Sequence, residues 1–321
     1  MSFSHLSSTT LTVLTSISAT TALLYCAFFL LLASCGASLC SLLDATGGLV
    51  GKKNLINKFA AQESQNSFAL FLLHALPLAV LALLFANPQN PSVLYSPLLH
   101  EFFSLPAVLF LALILTCIAR TKLPNSLLSY LFTLLTGLLF LIQIFWWTLQ
   151  GTPLAMPPSS IIDCTAVITL IQSLLSTSAL HLDVIVMFVY FILVSFTVGS
   201  MSVMVWLIMR RNKDDYGRDY YTFAMRRSAR RSLFFLLLAT AAACYSNFLI
   251  YATHKEVFFN AFALLLAVAV LLLIVVCVML LVIGTTVTPM RCKPAAIASF
   301  FVYAAVFMLQ LLFLSFAPLV L

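Results

Sequence analysis

RRNKDDYGRDYYTFAMRRSARRS, residues 210–232, holds eight of the chain's sixteen basic residues between two long apolar runs, 183–209 and 232–253. So much charge cannot sit in hydrocarbon, so the runs on either side read as two membrane crossings joined on one face by this loop. Working outward, the other basic residues repeat the pattern: Lys52, Lys53 and Lys58, then Arg120 and Lys122, then Arg291 and Lys293. Only Lys255 stands apart. Basic residues beside short loops mark the cytoplasmic side. The alternation therefore predicts about eight transmembrane helices, over 15–43, 67–86, 104–119, 125–149, 183–209, 232–253, 258–284 and 294–319, with both termini outside.

Composition leads to the same class. At 63% hydrophobic and 8% charged, the chain has too little polar surface to cover a water-soluble core of 321 residues. The expected fold is all-α, a polytopic membrane helical bundle with lipid as its solvent. The net charge of +7 is confined to helix ends, where it serves orientation and contact with anionic headgroups, and it excludes a nucleic-acid partner. The first 14 residues carry no Lys or Arg, so the first apolar run reads as retained rather than as a cleaved signal. Eight scattered cysteines with no Cys-x-x-Cys exclude an attached c-type haem and read as small buried hydrophobes. With no Asn-x-Ser/Thr acceptor, the expected location is a bacterial inner membrane.

The two halves of the chain resemble each other. Each opens with a long helix carrying a small-residue patch, Ser34-Cys35-Gly36-Ala37-Ser38 and Gly199-Ser200-Met201-Ser202, followed by a basic loop and three further crossings. Gly36 and Gly199 are 163 residues apart, and the intramembrane glutamines Gln143 and Gln310 are 167 apart. These offsets suggest two tandem four-helix units, 1–150 and 183–321, in parallel repetition. Between them, 151–182 reads as an outer loop, and its apolar stretch IIDCTAVITLIQSLL suits an interfacial helix. Pro77 should kink the second crossing, and Trp146, Trp147 and Tyr95 suit an outer aromatic belt.

Ionisable groups inside a membrane are expensive and mark candidate sites. His74, in FALFLLHALPLAV, is either a haem or quinone ligand or a histidine hydrogen-bonded to a neighbouring helix. His181 and His254 sit at the outer ends of adjacent crossings, where two imidazoles suit bis-histidine ligation of a haem b iron, and His100 lies on the same side. Asp44, Asp183, Glu101 and Glu256 are also at helix ends and read as solvated caps. Gly47 to Lys53 lacks the spacing of a phosphate loop. Within 210–232, Arg210, Arg211, Arg226, Arg227, Arg230 and Arg231 are candidates for contact with anionic lipid or a partner subunit, with topology enforcement as the alternative. Ser246, Asn247, Gln143 and Gln310 read as helix-to-helix glue.

Eight crossings in two four-helix units, with His100, Glu101, His181 and Asp183 near the outer face, resemble the membrane anchors of bacterial respiratory complexes of the DMSO reductase and polysulfide reductase type. The resemblance is one of topology along the whole chain. It implies an electron-transfer subunit that holds quinone or haem b and docks partner subunits on its basic inner face. The competing expectations are a transporter for a small or lipid-like substrate, and a structural or assembly protein without a ligand.

Overall fold

The computed structural model describes residues 19–51, 54–85, 97–123, 126–151, 181–214, 216–253 and 263–316. Among them are eight long α-helices and no strand. They are α1 (Ala19–Gly51), α2 (Asn54–Phe85), α3 (Pro97–Lys122), α4 (Leu127–Gly151), α5 (His181–Arg210), α6 (Arg218–Thr253), α7 (Ala263–Thr285) and α8 (Lys293–Phe316), with a 3-10 turn over Pro289–Cys292 before α8. Within the described residues, each apolar run predicted above falls on one helix. Residues 152–180, Tyr95 and His254 lie outside the described residues, as do the side chains of Trp146 and Trp147.

Five stretches are long and apolar enough to cross a membrane: Tyr25–Gly48, Leu127–Phe145, Ile185–Arg210, Leu266–Thr285 and Pro289–Leu311. Their outward faces are lined with large apolar side chains, such as Leu271, Ile274, Val278 and Leu281 on α7 and Leu131, Leu135, Leu138 and Ile142 on α4, all exposed. The interior is polar by comparison, with Ser34, Ser38, Ser41, Ser64, Ser67, Ser195 and Ser200 all buried. An apolar exterior around a hydroxyl-rich interior is the arrangement that a lipid solvent favours, because helices in lipid gain by close packing and hydrogen bonding rather than by hiding apolar surface.

Two helices run well past their apolar segments. α2 has 32 residues and α6 has 36, about 48 and 54 Å at 1.5 Å per residue, against a hydrocarbon core of about 30 Å. The apolar part of α2 begins near Ser67 and that of α6 near Ser232, so each carries a polar inner turn or more, 54–66 and 218–231. The sequence places 54–66 in a loop, and reads 210–232 as a basic connection whose arginines with Tyr216, Tyr220, Tyr221 and Phe223 suit an amphipathic helix at the inner headgroups. Both segments stay helical because their side chains find polar partners on the neighbouring helices, described below. α2 also continues through Pro77.

Helix adjacency follows the same plan in both halves. α1 packs on α2 and α4, α2 on α3, and α3 on α4; α5 packs on α6 and α8, α6 on α7, and α7 on α8. The broadest contact joining the two sets is α1 on α5. Serine hydroxyls tie α1 to α2, with Ser34 Oγ donating to the Ser67 carbonyl at 2.8 Å and Ser41 Oγ to the Ala60 carbonyl at 2.7 Å. Toward the outer side, Phe28 of α1 meets Phe191 of α5 edge-on at 5.1 Å between ring centroids. Midway, α1 and α5 touch backbone to backbone. A Cβ placed on Gly36 would lie 1.6 Å from the Ser195 carbonyl oxygen, and one on Gly199 would lie 2.3 Å from the Gly36 carbonyl carbon. Only glycine allows that approach.

Candidate functional site

Below the glycine contact, the inner ends of α1, α2, α5 and α6 enclose an ionic cluster. Its acids come from the first half of the chain and its bases from the second. Asp44 on α1 accepts from Arg227 Nε at 2.9 Å and from Arg231 Nη1 at 2.9 Å, through different carboxylate oxygens. Glu63 on α2 pairs with Arg231 Nη2. Arg231 Nε donates to Ser200 Oγ at 3.0 Å, so one guanidinium joins α1, α2 and α5 to α6. The Asp44 and Glu63 side chains are 1% and 0% exposed and that of Arg231 11%, whereas Arg227 keeps 39% of its side chain open. The cluster is thus sealed at Glu63 and open to solvent only past Arg227.

Asp44 was expected to be a solvated cap, and the structure corrects this. It is buried and receives two arginines. The helical register explains why. Arg227 and Arg231 are four residues apart, on one face of α6 that points at α1 and α2. Arg226 and Arg230, also four apart, point toward α7 instead. Arg226 donates through Nε and Nη2 to the Thr286 carbonyl at 2.9 and 2.8 Å, and Arg230 Nε to the Gly284 carbonyl at 3.1 Å. These carbonyls lie at the inner end of α7, where the last turn of a helix lacks backbone donors and favours cations.

A second polar layer lies beside the first, where α2 meets the C-terminal end of α5 and the N-terminal end of α6. Gln62 Nε2 donates to Asp214 Oδ2 at 3.0 Å and its Oε1 accepts from Tyr220 OH at 3.0 Å. Arg210 donates to Asp214 at 3.1 Å and to Gln65 Oε1 at 3.2 Å, and its guanidinium lies 5.4 Å from the Trp206 ring. Asn66 Nδ2 reaches Ser202 Oγ at 2.8 Å. Burial pushes the Glu63 carboxyl well above its ordinary range, Asp44 adds to this, and Arg231 opposes it. Burial likewise raises the Tyr220 phenol, with Glu63 contributing. The arrangement offers no nucleophile with an activating base. What it does chemically is hold four helices from both halves together through charges that water barely reaches.

A separate cavity of about 410 Å³ lies within the ring of α5 to α8, toward the outer end of these helices. Tyr190, Thr240, Ala243, Leu273, Tyr303 and Phe307 are among the residues that line it, and its wall is almost entirely apolar. Gln310 contributes to its rim. Tyr190 and Tyr303 carry hydroxyls in that lining, while the Thr240 hydroxyl donates to the Leu236 carbonyl of its own helix at 2.7 Å.

Of the four nominated histidines, only His74 has a described side chain. It is buried, and its Nδ1–H donates to the Ala27 carbonyl on α1 at 2.7 Å, so it joins α2 to α1. His100 and His181 lie near the N-terminal ends of α3 and α5. Among the described residues no group of three or more His, Cys, Asp or Glu is placed to hold a metal. The seven described cysteines form no disulfide. Of the six nominated arginines, Arg226, Arg227, Arg230 and Arg231 direct donors inward as above, Arg210 bonds Asp214 and Gln65, and Arg211 is exposed.

Two parts of the site escaped the sequence reading. Glu63 lies in AAQESQNS (60–67), which read as loop. The available signal was charge pairing: a chain with two acids at the inner end of one half and arginines at i, i+4 in the other can neutralise both sets by bringing them together. Tyr190 and Tyr303 sit singly in apolar runs, and nothing local marks them. The chain matches no protein family, no curated protein and no solved structure.

Proposed function

We propose that this chain is an eight-helix inner-membrane protein of two tandem four-helix units, both termini outside, that holds a quinone-type lipid in the cavity of its second unit and serves an electron-transfer complex. The cavity carries the reading. Its volume of about 410 Å³ falls in the range of small-molecule sites, about 300–1,000 Å³. Its apolar wall suits a hydrophobic ring and tail, and the Tyr190 and Tyr303 hydroxyls suit the carbonyl oxygens of a quinone, which accept hydrogen bonds. The exposed apolar faces of α4 and α7 support the membrane setting, and the repeated helix adjacency supports the tandem design.

Photolabelling tests this. Protein in lipid nanodiscs is illuminated with an azido-quinone of short side chain, and the labelled peptides are mapped by mass spectrometry. Label is expected on the stretches around 239–244, 266–273 and 303–310, and Ala243→Trp, which fills the cavity, should abolish it. Label elsewhere, or undiminished in Ala243→Trp, overturns the reading. An absorption spectrum addresses haem b directly: a Soret band lost in His181→Ala or His254→Ala would put haem in place of quinone.

A carrier for a lipid-like substrate is the second reading, and one observation favours it. The ionic contacts of Asp44 and Glu63 with Arg227 and Arg231 all join one half to the other, as a latch between moving units does. Reconstituted vesicles that exchange a fluorescent lipid faster with the active chain than without it, and more so in Arg231→Gln, would select this reading over the first.

A further inference from the structure

The ionic cluster leaves one buried arginine without an acid. Arg120, at the inner end of α3, is 4% exposed. Its Nε donates to Thr133 Oγ1 on α4 at 3.0 Å, while its Nη2 is buried with no hydrogen-bond partner. One turn away on α4, Ser129 is 0% exposed and its Oγ also lacks a partner, while the Ser129 carbonyl receives Thr133 Oγ1 at 2.8 Å. No carboxylate among the described residues lies within ion-pair distance of Arg120. Glu63 acts on it electrostatically; one Glu63 oxygen pairs with Arg231, and the other, Oε2, is buried without a hydrogen-bond partner and outside ion-pair distance of Arg120.

An unpaired buried guanidinium carries a desolvation penalty of several kcal/mol unless an anion or a set of acceptors offsets it. The hydroxyl of Thr133 is neutral and offsets only part. Of the arginines Arg120, Arg227 and Arg231, only Arg120 has no acid at ion-pair distance among the described residues. The start of α4 adds to the positive side, since Ser126 Oγ caps the Ser129 amide at 3.1 Å and the helix N-terminus carries a positive partial charge. Lys122, the last residue of α3, is exposed two residues from Arg120.

We infer that Arg120, Ser129 and Thr133 form a binding site for a phosphate-type oxyanion at the inner headgroup level, between α3 and α4. Arg120 Nη2 and Ser129 Oγ supply the two unmet hydrogen-bonding groups, and the anion neutralises the guanidinium. A guanidinium matches phosphate oxygens in geometry as well as in charge. Two sources carry that chemistry, the phosphodiester of an anionic inner-leaflet phospholipid and free phosphate. The site is remote from the α5 to α8 cavity, so quinone binding and anion binding fail or succeed separately.

Delipidated protein in a non-ionic detergent is titrated with phosphatidylglycerol, phosphatidylcholine and inorganic phosphate, with native mass spectrometry and thermal melting as readouts. Wild-type protein is expected to retain one phosphatidylglycerol per chain and to melt higher with it, and Arg120→Gln should weaken that binding at least tenfold. Ser129→Ala, too small a change to disturb the fold, should weaken it by a few fold. If millimolar phosphate raises the melting temperature as well as the lipid does, the ligand is the free ion; if phosphatidylglycerol alone acts, it is the headgroup. Equal binding by wild type and Arg120→Gln overturns the inference. So does an absence of anion binding together with strongly non-additive effects of Arg120→Gln and Glu63→Gln on melting, which would make Glu63 the counter-charge of Arg120.

Discussion

Gly36 of α1 and Gly199 of α5 are in contact, backbone to backbone. A Cβ on Gly199 would come within 2.3 Å of the Gly36 carbonyl carbon and 2.4 Å of the Ala37 nitrogen, both backbone atoms that cannot step aside. The α1–α5 crossing is the broadest contact between the two sets of helices. Gly199→Leu should separate α1 from α5 and undo the serine and ionic contacts beneath, by more than the about 1–3 kcal/mol typical of overpacking in a deformable core. Melting in detergent, followed by size exclusion, checks this. Gly47→Ala serves as the control, since a Cβ there meets nothing within 4 Å.

Arg231 binds Asp44, Glu63 and Ser200 at once. Removing it leaves two buried carboxylates facing each other, and breaking such a pair from one side costs about 3–5 kcal/mol. Arg231→Met should therefore lower the melting temperature sharply. Adding Glu63→Gln to Arg231→Met should recover part of the loss, because it removes one of the stranded charges. A double-mutant cycle on the melting free energies measures that coupling, and simple additivity would show that Arg231 and Glu63 do not share a partnership.

The pH dependence has a definite sign. Burial raises the folded-state pKa of Glu63 above the ordinary carboxylate value of 4.5. In the interval between those two values the folded state binds the extra proton, so this group's contribution favours folding most below the unfolded pKa and declines as pH rises through the folded one. Glu63→Gln should flatten that decline. The measurement is melting temperature from pH 4 upward in wild type and variant, and parallel curves would remove Glu63 as its source.

Arg226 and Arg230 test a different kind of contact. Their donors reach the Thr286 and Gly284 carbonyls at the end of α7, and hydrogen bonds from a charged donor contribute about 1.5–3 kcal/mol when partly shielded. Arg226→Gln should loosen the inner end of α7 without touching the Asp44 cluster. Hydrogen exchange should accelerate over 280–286 and stay unchanged over 36–44.

How much of this was legible in the sequence depends on the range of the force involved. The helices were readable because hydrophobic length and the segregation of Lys and Arg are local features, visible in runs such as 183–209. The α1–α5 contact was half readable, since Gly36 and Gly199 stood out as small residues at a common offset, yet their meeting required packing. Asp44 was misjudged and Glu63 passed over for one reason. A charge at the end of an apolar run looks solvated unless its partner is known, and here the partners Arg227 and Arg231 lie 183 and 168 residues farther along the chain. The continuation of α2 and α6 as helix past the apolar segments is the same effect seen in the backbone.

The cavity within α5 to α8 yields the most discriminating prediction. Tyr190 and Tyr303 are buried, yet neither phenol oxygen is among the buried polar atoms lacking a partner. Replacing either by Phe removes only a hydroxyl from the wall of a preformed cavity, so helix packing should survive. If those hydroxyls hold the carbonyls of a bound quinone, each is worth about 0.5–1.5 kcal/mol, roughly a two- to tenfold weakening. Tyr190→Phe and Tyr303→Phe should therefore raise the quinone dissociation constant by that factor while leaving the melting temperature of the ligand-free protein within a degree or two of wild type. Ala243→Trp should abolish binding altogether by occupying the space. A wild-type affinity in both Phe variants would mean that the ligand is held by shape alone, and would point to a lipid tail rather than a quinone ring.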